Sequence, residues 1–74
     1  MIVIYKTPTC AYCAMVAKYL DVQNVPYRLE AAEGDTYGAL AKQYGVSVPL
    51  VFNEETKKGM IGFNIAKLKE LVGL

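Results

Sequence analysis

An apolar run, Ile2-Val3-Ile4-Tyr5, gives way across Thr7-Pro8-Thr9-Cys10-Ala11-Tyr12-Cys13 to residues with helical spacing. That change of period constrains the fold more than any other feature of the chain. The run is continuous and rich in β-branched residues, the pattern of a strand buried on both faces, so it is expected at the centre of a sheet. Pro8 has no ladder donor to offer and belongs to a loop. Beyond the loop, Cys13, Val16, Ala17 and Leu20 fall at i, i+3, i+4 and i+7, one apolar stripe of a helix that begins at Cys13. Thr7 to Cys13 is therefore a strand-to-helix corner, and it holds both cysteines of the chain.

A thiol at such a corner faces unpaired N–H groups and the positive end of the helix dipole, both of which favour thiolate over thiol. Cys10 is thus the candidate nucleophile, expected to titrate below the free-thiol value of about 8.5. Cys13 lies one turn further along the same face, within reach of Cys10, and is the candidate resolving thiol. The plainer readings are two small buried hydrophobes, or half of a zinc site. Zinc takes about four ligands. With no His and no third Cys, the missing ligands would come from a second chain or from carboxylates.

The rest of the pattern builds one α/β domain over residues 1–74. The first helix should end near Asn24, because Val25 precedes Pro26 and is biased towards extended geometry. Tyr27 to Ala31 reads as a short edge strand in which Arg28 and Glu30 alternate with Tyr27 and Leu29. Strand, helix and strand make a βαβ unit, so these first two strands are expected to be parallel. Asp35 can cap a second helix with Tyr37, Leu40, Ala41 and Tyr44 on its apolar stripe and Gly45 as its stop. Leu50-Val51-Phe52 and Gly59-Met60-Ile61-Gly62, separated by polar turn residues, should form an antiparallel hairpin. Asn64 then caps a last helix with Ile65, Leu68 and Val72 at heptad-like spacing. The order β-α-β-α-β-β-α implies a four-stranded mixed sheet with helices on its faces.

Eight Lys and Arg against seven Asp and Glu leave a net charge of +1 with no block of one sign, so no footprint for nucleic acid or an anionic membrane is present. A protein or small-molecule partner is expected. Met1 to Tyr5 is too short for a signal h-region and no later run approaches a membrane span, which points to the cytoplasm. In a reducing compartment a Cys-X-X-Cys pair is catalytic or metal-binding more often than structural. A bridge across so short a loop restrains the unfolded chain little, so packing must hold the fold.

The active-site spacing, the element order and a Val-Pro ahead of the third strand together resemble the minimal thioredoxin fold of the glutaredoxin family, over essentially the whole chain. Cys10-Ala11-Tyr12-Cys13 is similar to the family's Cys-Pro-Tyr-Cys, and Ser47-Val48-Pro49 to its Thr-Val-Pro; each departs at one residue. The resemblance implies a cis bond before Pro49, turning the N–H and C=O of Val48 towards an extended substrate segment. It also implies that Lys6 meets the glycine carboxylate of glutathione, although Lys6 lies four residues ahead of Cys10 where the family's basic residue lies three ahead. After the hairpin, glutaredoxins carry Gly-Gly, a Cys or Ser, and one or two Asp that hold the γ-glutamyl end of glutathione. Here Gly62-Phe63-Asn64-Ile65-Ala66 offers no carboxylate. Its Gly-Phe is similar to the NrdH-type redoxins, which take electrons from thioredoxin reductase and pass them to ribonucleotide reductase. Those proteins continue with Arg-Pro-Asp, which Asn64-Ile65-Ala66 does not match.

The resemblance thus implies a monomeric thiol-disulfide oxidoreductase and electron carrier in cell redox homeostasis. It would reduce protein or glutathione mixed disulfides, ribonucleotide reductase among the substrates. No tightly bound cofactor is implied; glutathione as co-substrate or thioredoxin reductase would be the donor. The rival from another class is a homodimeric metal or iron-sulfur scaffold built on the same cysteines, as some glutaredoxins form with glutathione as co-ligand. Tyr12 points away from the Cys13 stripe and suits a substrate-facing rim. Tyr5, Tyr37 and Tyr44 occupy core-stripe positions. Phe63 is either core filling before a helix cap or, if exposed, an apolar docking spot beside Gly62.

Overall fold

The computed structural model describes residues 1–74. Its elements are β1 (Ile2–Lys6), α1 (Ala11–Val22), β2 (Tyr27–Ala31), α2 (Gly34–Tyr44), β3 (Leu50–Asn53), β4 (Lys58–Ile61) and α3 (Ile65–Val72). They form a four-stranded sheet in the order β2-β1-β3-β4. β1 pairs parallel with β2 and antiparallel with β3, and β3 pairs antiparallel with β4. The expected mixed sheet is therefore present, with β1 internal and β2 at an edge.

Alternation along the strands divides the core into two layers. Ile2, Ile4, Val51 and Met60 face Val16 and Leu20 of α1 and Leu68 of α3. Val3, Tyr5 and Leu50 face the other way, against Tyr37, Leu40 and Tyr44 of α2. β1 is buried from Ile2 to Tyr5 because it feeds both layers and is paired on both edges. Each fully buried aliphatic side chain contributes about 1.5–3 kcal/mol, so this strand is a main source of stability.

The helix boundaries follow local chemistry. Asn24 takes a left-handed conformation (φ 58°), and the N–H groups of Asn24 and Val25 donate to the carbonyls of Asp21 (3.1 Å) and Leu20 (2.9 Å). This Schellman pattern stops α1 just before the segment that Pro26 biases to extended geometry. α2 does not begin at an Asp35 cap: its N-cap is Glu33, which makes no side-chain cap bond, and Asp35 sits within the first turn. The asparagine at 64 does cap α3, accepting from the Lys67 N–H at 3.0 Å. Two large apolar residues of these elements lie outside. Leu29 is exposed because β2 is an edge strand, and Ile65 is exposed because the buried side of α3 is carried by Leu68, with Leu71 and Val72 half-buried beside the core.

Asn53 joins the hairpin to the last helix. Its Oδ1 accepts from the N–H groups of Glu55 (2.9 Å) and Thr56 (3.3 Å), while its Nδ2 donates to the Leu71 carbonyl at 2.9 Å. Asn53→Ala is expected to destabilise the protein by about 1–3 kcal/mol, read as a lower urea midpoint at unchanged slope. Tyr19 presents the opposite case, a buried hydroxyl without a hydrogen-bond partner. Removing such a group relieves a desolvation cost, so Tyr19→Phe should raise the same midpoint by the equivalent of about 1 kcal/mol. An unchanged or lower midpoint would mean that the hydroxyl is satisfied in solution.

Candidate functional site

Strand register gathers the site at one end of the sheet. Tyr5 pairs with Leu50, and Leu50 with Ile61. The chain leaving β1 towards Cys10, the chain entering β3 through Val48-Pro49, and the chain leaving β4 through Gly62-Phe63 therefore meet at the same edge. A hydrogen bond from the Gly62 N–H to the Pro49 carbonyl, 2.9 Å, ties the last two together. Gly62 adopts φ 82°, a left-handed conformation in which a side chain would be strained, so glycine is what the turn requires. The Val48-Pro49 bond is cis, as the resemblance implied.

α1 starts two residues earlier than its apolar stripe, at Ala11, with Cys10 as the N-cap residue. The Cys10 Sγ accepts a hydrogen bond from the Cys13 N–H at 3.1 Å, taking the part that a serine or threonine oxygen usually plays at a helix start. Cys10 and Cys13 are joined as a disulfide, with Cα atoms 5.2 Å apart. The two sulfurs differ in surroundings. Cys10 is half-buried at the helix tip, whereas Cys13 is 2% exposed and belongs to the buried side of α1 with Val16 and Leu20. The first turn of α1 contains no acidic residue to oppose a negative sulfur.

The other candidate residues divide by position. Tyr12, between the cysteines, is 60% exposed, consistent with a rim. Pro49 is buried and Val48 half-buried, and the Val48 N–H and C=O make no hydrogen bond within the protein. Phe63 is half-buried and packs against the core layer under α1 and α3, which supports core filling rather than an exposed docking spot. Lys6 closes β1, its carbonyl accepting from the Ala32 N–H at 2.9 Å; no carboxylate lies within ion-pair distance of its side chain. Asn64 caps α3 with its amide oxygen, and the segment after Gly62 carries no carboxylate. No group of three His, Cys, Asp or Glu side chains converges within the chain. One feature escaped the sequence reading: the Tyr37 hydroxyl donates to the Val46 carbonyl at 3.2 Å, in the loop that leads to Pro49. No spacing rule connects those two positions.

Once the disulfide is reduced, the N–H that bonds Cys10 Sγ and the helix end behind it stabilise a thiolate there. Iodoacetamide should therefore alkylate Cys10 with a midpoint below pH 8.5, the free-thiol value, while Cys13 stays largely unmodified in the folded protein. A Cys10 midpoint at or above that value would show that the cap does not act on the thiolate.

Comparison with known proteins agrees with this geometry. The glutaredoxin family model matches residues 2–56. A relative in Clostridium pasteurianum, an uncharacterized glutaredoxin-like 8.6 kDa protein in the rubredoxin operon, is 31% identical over 97% of this chain and 97% of its own length. Among solved structures, the glutaredoxin of Archaeoglobus fulgidus superposes with a TM-score of 0.73 at 26% identity, covering 96% of this chain and 84% of that one. The thioredoxin-like protein BC3987 superposes at 0.71 with 28% identity, covering 96% and 99%. With a paired Cys10–Cys13 at the tip of α1 and these relatives along its length, the chain belongs to the glutaredoxin family.

Proposed function

We propose that this protein is a dithiol electron carrier that reduces disulfides in a protein substrate, ribonucleotide reductase being the leading candidate, and is itself re-reduced by thioredoxin reductase. Family membership and the cysteine pair make thiol-disulfide exchange the general activity. The observation that carries the dithiol mechanism is the asymmetry of the pair: Cys10 capped at the helix tip, Cys13 buried behind it.

The steps follow from that asymmetry. The Cys10 thiolate attacks one sulfur of the substrate disulfide, forming a mixed disulfide and expelling the other sulfur as a thiolate. Cys13 loses its proton to solvent, and its thiolate attacks the Cys10 sulfur. The Cys10–Cys13 bond forms, the second substrate sulfur leaves, and the substrate has gained the two electrons that the protein has lost. The Val48 N–H and C=O, free of internal partners, would pair with the extended substrate segment, and Tyr12 would line its rim. The two sulfurs carry the electrons, so no tightly bound cofactor is needed. The reducing cytoplasm suits such a carrier.

Thioredoxin reductase is favoured as donor over glutathione because of the segment after β4. A γ-glutamyl ammonium is held best by a carboxylate, and Gly62 to Ala66 carries none; its one side-chain oxygen, on Asn64, already accepts from the cap of α3. Lys6 alone could meet only the other end of the tripeptide.

The test is NADPH consumption with a generic disulfide acceptor. Turnover is expected with thioredoxin reductase and at least tenfold less with glutathione plus glutathione reductase. The opposite preference would make the protein a glutathione-dependent glutaredoxin, and failure of both donors with iron or zinc in the purified protein would favour a metal scaffold. Cys10→Ser should reduce turnover to background, and Cys13→Ala should accumulate a mixed disulfide at Cys10 that mass spectrometry detects.

A further inference from the structure

Between the Gly45 cap and the buried Pro49, the loop from α2 to β3 is held by a single hydrogen bond, from a tyrosine. Its backbone from Val46 to Val48 makes no hydrogen bond to other backbone groups, and Val46 is 82% exposed, so neither secondary structure nor burial of that side chain fixes it. The single hydrogen bond that residues 46–48 receive is the one from the Tyr37 hydroxyl to the Val46 carbonyl, 3.2 Å. Tyr37 itself is well anchored. It lies on the inward stripe of α2, and its ring packs on Tyr5 with centroids 5.6 Å apart and planes tilted by 46°. Tyr5 is buried near the end of the internal strand β1; burial pushes its phenol above the ordinary tyrosine value, with the nearby Arg28 guanidinium opposing. A line of contact thus runs from β1 through two aromatic rings to the loop that ends at Pro49.

We propose that Tyr37 is a positioning residue for substrate recognition: its hydroxyl, braced on Tyr5, fixes the loop through Val46 and so sets the direction in which the Val48 N–H and C=O are presented to an extended disulfide-bearing peptide. This rests on the reading of the site as a thiol-disulfide exchange centre. Pairing with a strand-like segment depends on the orientation of those two groups, whereas attack by Cys10 on a small disulfide does not. Tyr37 therefore acts on extended substrates and leaves the sulfur chemistry unchanged. Loss of one hydrogen bond that orders a recognition loop corresponds to about a three- to tenfold change in half-saturation.

The test is single-turnover oxidation of pre-reduced protein, freed of reductant, by excess substrate, followed by acid quench and mass analysis. Wild type and Tyr37→Phe are compared with a disulfide-linked peptide pair and with 2-hydroxyethyl disulfide. The variant keeps the ring on Tyr5 and removes only the donor. It should need about three- to tenfold more peptide for half-saturation, with the same limiting rate and an unchanged rate on 2-hydroxyethyl disulfide. The Val46 carbonyl carbon resonance should shift in the same sample, whose spectrum also reports that the variant is folded. Equal half-saturation by the peptide, or an equal slowing with both disulfides, overturns the positioning role. If wild type is oxidised by neither disulfide, the exchange reading itself falls and takes the inference with it.

Discussion

The pairing of β1 on both edges is the constraint on which the rest depends. Because β1 runs parallel to β2 and antiparallel to β3, its last residues lie beside the end of one strand and the start of another. Nothing in the segment Thr7 to Cys10 needs to be long or specially folded to reach Pro49; the register Tyr5 to Leu50 brings the two loops to the same edge of the sheet. Burial on both faces of β1 makes that register hard to slip, since a shift of one residue would exchange the side chains of the two core layers. The small chain can therefore place a reactive pair with little structure devoted to the site alone.

Helix geometry then makes the two cysteines unlike each other. Cys10 is the cap and Cys13 the third residue of the helix, so the N–H of the second is directed at the sulfur of the first while the second side chain turns under the helix. A partial positive charge of about half a unit at the helix start adds to that bond. The same three-residue spacing that allows the disulfide thus assigns the roles: the sulfur favoured as thiolate is the one that solvent and substrate can reach. Replacing Ala11 by the family's usual proline would stiffen the turn without changing which sulfur is capped.

Much of this was legible in the sequence, and the exceptions have physical causes. The stripe Cys13, Val16 and Leu20, the edge strand Tyr27 to Ala31 and the Asn64 cap were each visible because one local rule fixes each of them. The start of α1 lies upstream of its stripe, because an apolar stripe marks only the buried side of a helix and the first exposed turn, Ala11 and Tyr12, carries no such signal. Asp35 looked like a cap because its side chain is suited to one; the chain instead enters α2 through Gly34 at φ 90°, a turn that moves the boundary upstream. Exposure of Leu29 and Ile65 depends on how far each element is covered by its neighbours, which periodicity does not encode. The Tyr37 to Val46 bond spans nine residues across a helix end and depends on the path of an irregular loop, which no local sequence rule encodes.

The electrostatics of the site end also bear on what can bind there. Three helices begin at that end of the sheet: α2, beside β2, has Asp35 in its first turn, whereas α1 and α3 have no acidic residue in theirs. Their positive ends are neutralised only by a sulfur in one case and a neutral asparagine amide in the other. Such a field stabilises a thiolate at Cys10 and opposes an approaching ammonium group. A carboxylate after Gly62 would have reversed the second effect, welcoming the ammonium while lessening the pull on the thiolate. The neutral cap at Asn64 thus leaves the start of α3 with no negative side chain in its first turn, so that turn offers a free amino group no ion-pair partner.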